Sequence, residues 1–461
     1  MSGPTDYVGT PVLVAGAGVS GASAALALAR VGAEVTVVDR RGTDSSGRLE
    51  AAGIAVLPEP PAPPDGTKLV VTSPGLRPDH PLLLAAADAG IEVIGDVELA
   101  WRLRPADAAP WLALTGTNGK TTTVGMLEAI LRAAGLRAVA TGNVGFPVVD
   151  AVDADPPYDV LAVELSSFQL HWSSSLRPRA AAVLNLAPDH VDWHGSFDAY
   201  VAAKARILQH DATNVVNADD PTVLRLAHGL PDAVSFTLGE PGPGQVGIVA
   251  GNLVDRAFGI DRGTEQSVVL AGVSDVRPIG PHNVANALAA ASLARAYGVT
   301  AVDVRNGLRG FVPGAHRNAQ VGVVGGAVYV DDSKATNPHA AAASLSAYER
   351  VVWVAGGQLK GAPIDELVAA VHPRLAAAVL LGADRAQFAD AFARHAPDLP
   401  VVEVTADDDG AMTEVVTKAA ALARPGDTVL LAPAAASLDM FADYAARGDA
   451  FAAAVRGLEE E

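Results

Sequence analysis

The chain has 461 residues, half of them hydrophobic, with 52 acidic against 33 basic side chains for a net charge of −19. That length and apolar content supply cores for two to four domains and exclude a disordered chain. The acidic balance argues against a bulk nucleic-acid or anionic-membrane surface but leaves room for a local cationic pocket, and the absence of cysteine excludes disulfides, thiolate nucleophiles, zinc–thiolate sites and iron–sulfur clusters.

From Tyr7 to Ala29 no residue is charged, a run long enough to span a bilayer. No basic segment precedes it, however, and Gly16, Gly18 and Gly21 break it into a strand, a turn and a helix to about Gly32, followed by a strand from Glu34 that ends at Asp39. The expectation is therefore a soluble, cytoplasmic chain with no membrane insertion. A βαβ opening with a G-x-G-x-x-G turn and an acid closing its second strand suggests a dinucleotide-binding domain. Lys68–Gly75 reads as another strand that delivers a glycine turn at its C-terminal end, where open parallel sheets collect their ligands. The Pro/Ala-rich stretch Arg104–Pro110 reads as a linker.

The next stretch, Leu112–Thr123, runs from an apolar strand through a Gly-rich turn into a helix spanning 124–134. Gly116 to Thr121 spell G-T-N-G-K-T, a shortened phosphate loop whose backbone N–H groups and helix N-terminus suit phosphate oxygens. Lys120 is placed to reach the terminal phosphates and Thr121 to hold Mg²⁺. This motif implies ATP, and it is hard to reconcile with a simple dehydrogenase.

Strands and helices then alternate: strands at 159–165, 180–186 and 214–217, a helix around 198–208, short strands after the Gly/Pro-rich patch Glu240–Gly247, and a helix from Pro281. Glu164 closes its strand where nucleotide-binding folds place an acid for Mg²⁺. The loop Leu186–His194 packs two acids and two histidines together, a density that points to a polar site. His190 is an atypical ligand for a hard cation, and Lys204 reads by default as a solvated helix lysine. A last unit opens near Pro313–Arg317, with strands at 351–355, 378–381, 401–404 and 428–431 separated by helical stretches. That alternation means another parallel sheet. Its strand-end loops Val330–Asn337, Ala355–Lys360 and Ala432–Phe441 outline one edge of that sheet. The whole reads as an α/β chain of three consecutive domains with mainly parallel sheets, Rossmann-like, phosphate-loop ATPase and Rossmann-like in turn, over residues 1–105, 106–312 and 313–461.

Gly116–Thr121, Glu164-Leu-Ser-Ser-Phe-Gln169, Asp189-His-Val-Asp192, His282-Asn-Val-Ala-Asn286, His316-Arg317 and Asp331-Asp-Ser-Lys-Ala-Thr-Asn337 together resemble the signatures of the Mur ligase family of bacterial cell-wall synthesis. The likeness spans nearly the whole chain. The Ser-Pro-Gly75 turn, the Asp-Ser-Lys-Ala-Thr-Asn run and the Ser-Leu-Asp-Met-Phe441 ending point to the branch that adds D-glutamate.

The resemblance implies that the first domain holds a UDP-linked substrate rather than NAD. Val19, Ser20, Gly75 and Asn143 would meet the diphosphate, with Asp39 and Arg40 at the uracil end. Gly116, Thr117, Asn118, Gly119, Lys120, Thr121 and Thr122 would hold the ATP phosphates with Asn286 and Arg317, and Asp332 would lie near the ribose. Thr121 and Glu164 would serve one Mg²⁺, and His190 with Lys204, carbamylated as in the family, a second. Lys334, Thr336, Lys360, Ser437 and Leu438 would form the amino-acid pocket. Tyr444 stands where some relatives close that pocket with another aromatic ring.

The implied reaction joins D-glutamate to UDP-N-acetylmuramoyl-L-alanine. ATP phosphorylates the alanyl carboxylate and the amine then displaces phosphate, with Lys120, His190 and Lys204 as the central side chains. A monomer is expected, with closure of the last domain about a hinge near Val312–Ala315. Another Mur ligase or a folylpolyglutamate synthase-type ligase, a phosphate-loop switch or motor ATPase, and a nucleotide-dependent dehydrogenase are the competing readings.

Overall fold

The computed structural model describes residues 4–40, 46–230, 232–259, 267–406 and 410–460. Three sheets follow one another along the chain. The first contains β1 (Pro11–Ala15), β2 (Glu34–Asp39), β3 (Val56–Pro58), β4 (Leu69–Thr72) and β5 (Glu92–Gly95) in the order β3-β2-β1-β4-β5, parallel throughout. Its strands are almost continuously apolar because both faces are covered by helices. Along β1, Val12 and Val14 enter one core cluster while Leu13 and Ala15 enter the other.

The second sheet has nine strands: β6 (Trp111–Thr115), β7 (Ala138–Gly142), β8 (Val160–Glu164), β9 (Ala180–Val183), β10 (Thr213–Asn217), β11 (Val234–Phe236), β12 (Gln245–Val249), β13 (Asn252–Asp255) and β14 (Val268–Gly272). The order is β14-β13-β12-β11-β10-β9-β6-β8-β7. It is parallel from β7 to β12, whereas β12, β13 and β14 pair antiparallel as a meander. The short strands expected after the Gly/Pro-rich patch therefore extend this sheet at one edge.

The first two sheets belong to one compact unit, residues 1–275 with 286–311. Glu98 accepts the backbone N–H groups of Ser174 and Ser175 at 2.9 and 3.0 Å, and the Gly95 N–H reaches the Trp172 carbonyl at 3.1 Å. Ser23 donates to Asp150 across the same junction at 2.9 Å.

The other unit, residues 276–285 with 312–461, carries the third sheet. Its strands are β15 (Ala319–Val324), β16 (Ala327–Asp331), β17 (Val351–Gly356), β18 (Leu375–Leu381), β19 (Val401–Glu403) and β20 (Thr428–Leu431), in the order β15-β16-β20-β17-β18-β19. Only β15 runs antiparallel, to β16. In β17 the residues alternate between two cores, Val351, Trp353 and Ala355 on one face and Val352 and Val354 on the other. Segment 276–285, which the sequence places in the middle domain, lies in this unit. No helix of the described residues is long and apolar enough to cross a membrane; the charge-free run from Tyr7 to Ala29 folds as β1, a turn and the helix Val19–Arg30.

Candidate active site

β6 ends at Thr115, and the loop from Gly116 to Gly119 feeds directly into helix Lys120–Ala133. The helix starts four residues before the expected position, so Thr121 and Thr122 belong to its first turn. Gly119 makes the turn possible. Its φ is +82°, and a Cβ there would stand 2.3 Å from Oδ1 of the buried Asn286. Asn185 clamps the loop from the next strand end, accepting the Asn118 N–H at 2.8 Å and donating to the Asn118 carbonyl at 3.0 Å. The Thr117 hydroxyl is hydrogen-bonded to the Tyr200 hydroxyl at 2.8 Å. The loop is thus held by hydrogen bonds of the chain itself, and such a fixed loop suits phosphate binding by backbone N–H groups. Replacing Gly119 by alanine combines left-handed backbone strain of about 1–2 kcal/mol with a collision at Asn286. The expected result is a loss of about tenfold or more in kcat/KM for ATP, checked by steady-state kinetics.

Two lysines meet beneath this loop. Lys120 Nζ donates to the carbonyls of Gly116 and Thr117 at 3.0 and 2.9 Å. Lys204 Nζ donates to the same Gly116 carbonyl at 2.8 Å and to the Thr115 hydroxyl at 3.1 Å. Lys204 is not the solvated helix lysine that its spacing suggests: it is only 1% exposed. The helix Phe197–Ala205 packs its inner face against the sheet and carries Tyr200 and Lys204 together, one turn apart. Burial, reinforced by the neighbouring Lys120, holds the Lys204 amine well below the usual lysine range. The i, i+4 spacing of Tyr200 and Lys204 was the available sequence signal that both face the same side.

Glu164, at the end of β8, is also 1% exposed. Its Oε1 accepts from Asn143 Nδ2 at 2.8 Å, while Oε2 is buried without a hydrogen-bond partner. An orphaned carboxylate oxygen is costly unless something cationic completes it. His190 has a φ of +51° and sits 3.6 Å from Asp189, with its ring 4.7 Å from that of Phe168. Burial lowers its pKa, which favours a neutral imidazole. No group of three or more His, Asp or Glu able to hold a metal ion occurs among the described residues. The unpartnered Glu164 carboxylate oxygen is a hard oxygen donor of the kind that suits Mg²⁺, an ion that retains several waters.

In the first sheet, Asp39, Arg40 and Gly75 border one cavity of about 470 Å³ together with Gly16, Glu59 and His80. Asp39 accepts the Ala17 N–H at 2.7 Å, and Arg40 pairs with Glu59 at 2.8 Å. Gly21 allows the helix to close on the turn, since a Cβ there would lie 1.8 Å from the Gly16 carbonyl oxygen. Val19 is exposed in the first turn of that helix, and Ser20 beside it acts on the buried Asp96, whose pKa burial raises and Ser20 lowers. Asn143, grouped with them in the sequence reading, donates its side-chain amide to Glu164.

In the unit of the third sheet, Lys334 and Thr336 follow β16, Lys360 follows β17, and Ser437 and Leu438 follow β20. Arg447 ties these three loops together and was not singled out from the sequence. Its guanidinium is 1% exposed and donates to the Ser333 hydroxyl and carbonyl, both at 2.9 Å, and to the Ala435 carbonyl at 3.1 Å; its contact with the Gly356 carbonyl is 3.5 Å. Burial lowers its pKa to about 10. Gln358 and Ala436 exchange backbone hydrogen bonds at 2.9 Å, which joins two of the loops directly. Lys334 Nζ lies 4.0 Å from the centroid of Tyr444, while Leu438 is largely exposed. His316 pairs with Asp331 at 2.6 Å. Asp332 is partly buried, receives the Asn318 N–H at 3.2 Å, and has its pKa raised by desolvation to about 6. Arg317 acts on Asp332 through charge alone, in the opposite direction.

Family models match along most of the chain: a Mur ligase MurD-like N-terminal domain over residues 10–95, a Mur ligase middle domain over 114–294, and a Mur ligase glutamate ligase domain over 316–435. Among curated relatives, the UDP-N-acetylmuramoylalanine–D-glutamate ligase of Streptomyces coelicolor is 57% identical, covering 99% of both chains. Its counterpart in Thermobifida fusca is 59% identical over 98% of this chain and 99% of the relative. Solved structures with the same fold include the UDP-N-acetylmuramate-alanine ligase MurC of Thermotoga maritima, at 18% identity, TM-score 0.58 and coverage of 97% and 99%. MurF of Acinetobacter baumannii gives 19% identity and TM-score 0.59, with coverage of 100% and 93%. By the three consecutive domain matches and the full-length likeness to these relatives, the chain belongs to the Mur ligase family.

Proposed function

We propose that this chain is an ATP-dependent, ADP-forming ligase that joins D-glutamate to UDP-N-acetylmuramoyl-L-alanine in peptidoglycan precursor synthesis. One observation carries the chemistry: a preformed phosphate loop shares its Gly116 carbonyl between Lys120 and the buried Lys204. The full-length likeness to D-glutamate ligases carries the substrate assignment. On this reading, residues 1–105 bind the UDP substrate, 106–312 bind ATP and 313–461 bind the amino acid, and the last closes over the site about Val312–Ala315. The enzyme works as a cytoplasmic monomer.

A carboxylate is a poor electrophile until one oxygen becomes a leaving group. ATP transfers its γ-phosphoryl group to the alanyl carboxylate, and the D-glutamate amine attacks the resulting acyl phosphate, yielding amide, ADP and phosphate. Gly116 to Thr122 orient the phosphates through backbone N–H groups and hydroxyls, with Asn286 and Arg317 assisting and Asp332 at the ribose. Lys120 leaves the loop carbonyls and follows the charge on the transferring phosphoryl group. Mg²⁺, when bound, would neutralise phosphate charge at Thr121 and Glu164 and, in a second site, at His190 and a carbamylated Lys204. Asp39 and Arg40 would hold the uracil end, and Val19, Ser20, Gly75 and Asn143 the diphosphate. Lys334 and Lys360 would answer the two carboxylates of D-glutamate beside Thr336, Ser437 and Leu438.

Phosphate release measured with UDP-N-acetylmuramoyl-L-alanine and ATP should be brisk with D-glutamate. It should drop at least about a hundredfold with L-glutamate, meso-diaminopimelate or L-lysine, a gap of about 2.7 kcal/mol at the transition state. Equal release with all four would refute the amino-acid assignment. Equal release with no amine present would identify a plain ATPase.

A further inference from the structure

The proposed chemistry uses the C-terminal ends of the second sheet's parallel strands. A separate cavity of about 640 Å³ lies at the opposite ends, lined by residues that come just before β6, β9, β10 and β11. The length of β6 alone, five residues, puts about 16 Å of strand between this cavity and the phosphate loop.

Arg104, Arg177 and Arg179 border it, yet none is ion-paired with a described carboxylate. They rest on weaker partners instead. The Arg104 guanidinium lies 3.3 Å from the Trp101 ring centroid, Arg179 lies 5.8 Å from that of Tyr297, and Arg177 donates to its neighbour's carbonyl at 2.7 Å. The acids at this cavity, Asp211 and Asp232, precede β10 and β11, whereas the arginines precede β6 and β9. The sheet order β11-β10-β9-β6 therefore separates the two signs of charge and leaves one end cationic. The buried Trp111, which lines the same cavity, has an indole N–H without a partner.

In a protein of net charge −19, three guanidinium groups gathered on one side of a cavity, with its two acids on the other, form a local exception to an overall field that repels anions. Guanidinium forks match the oxygens of phosphate with paired hydrogen bonds. We infer that this cavity, at the end of the second sheet remote from the phosphate loop, is an additional binding site for a small phosphate-bearing anion. The inference is independent of the ligase reading.

The test uses inorganic pyrophosphate as probe and the full-length protein with its phosphate loop saturated by a non-hydrolysable ATP analogue. Titration calorimetry and tryptophan fluorescence are followed together, because Trp101 and Trp111 line the cavity. Binding should persist in the saturated protein, and the double variant Arg177→Gln/Arg179→Gln should weaken it at least about tenfold while ligase turnover and the thermal midpoint stay unchanged. Should the double variant fold poorly, Arg177→Gln alone, at an exposed position, serves with a smaller expected loss. Parallel titrations with orthophosphate and ADP separate a free-phosphate ligand from a nucleotide. No binding to the saturated protein, or equal affinity in the variants, would overturn the inference.

Discussion

Replacing Lys120 by alanine should lower the rate of amide formation by at least about a thousandfold, the scale at which removal of a preorganised charge from an active site is felt. The structure explains why the loss should fall on catalysis and not on folding. Lys120 donates to two carbonyls of its own loop. The loop itself is held by Asn185, Thr117 and Tyr200. Without the lysine the glycine turn, the clamp and the helix start remain, so ATP should still bind while the migrating phosphoryl charge goes unanswered. Rapid-quench measurement of the acyl phosphate in a single turnover would locate the defect at phosphoryl transfer. Near-normal amide formation in the alanine variant would remove the proposed mechanism.

The phosphate loop was legible because its requirements are local. A glycine with positive φ, a lysine and a hydroxyl residue fall within one turn, so sequence spacing and spatial neighbourhood coincide at Gly119, Lys120 and Thr121. Parallel sheets were legible for a related reason: apolar runs such as Val351–Ala355 are buried on both faces, and only a sheet sandwiched by helices hides both. Arg447 shows where this kind of reading stops. It lies 114 residues from Ser333 and 91 from Gly356, and nothing in the helix around it distinguishes a surface arginine from one enclosed by three loops. Its role exists only once β16, β17 and β20 are side by side. Asn143 is a different case, since a residue one position beyond a strand end can face either neighbouring loop. In the fold its amide turns to Glu164.

Lys204 combines both lessons, and its removal is the second large effect expected. The Lys204→Met variant keeps the length and apolar stem of the side chain but loses the nitrogen. Its folded state should survive, because methionine fills buried space adaptably and the lost contacts are to a hydroxyl and a carbonyl at 3.1 and 2.8 Å. Turnover should fall at least about a hundredfold, on the scale of losing a metal ligand or its support. Two explanations of such a loss are separable. If Lys204 merely holds Thr115 and Gly116, removing dissolved carbon dioxide should leave the unmodified enzyme's rate untouched. If it is carbamylated, depletion should slow that enzyme and added bicarbonate should restore it, with no response in the methionine variant. Enclosure at 1% exposure supports the second outcome, because a buried ammonium beside Lys120 is disfavoured, whereas a carbamate would present oxygen to a hard cation in the same space.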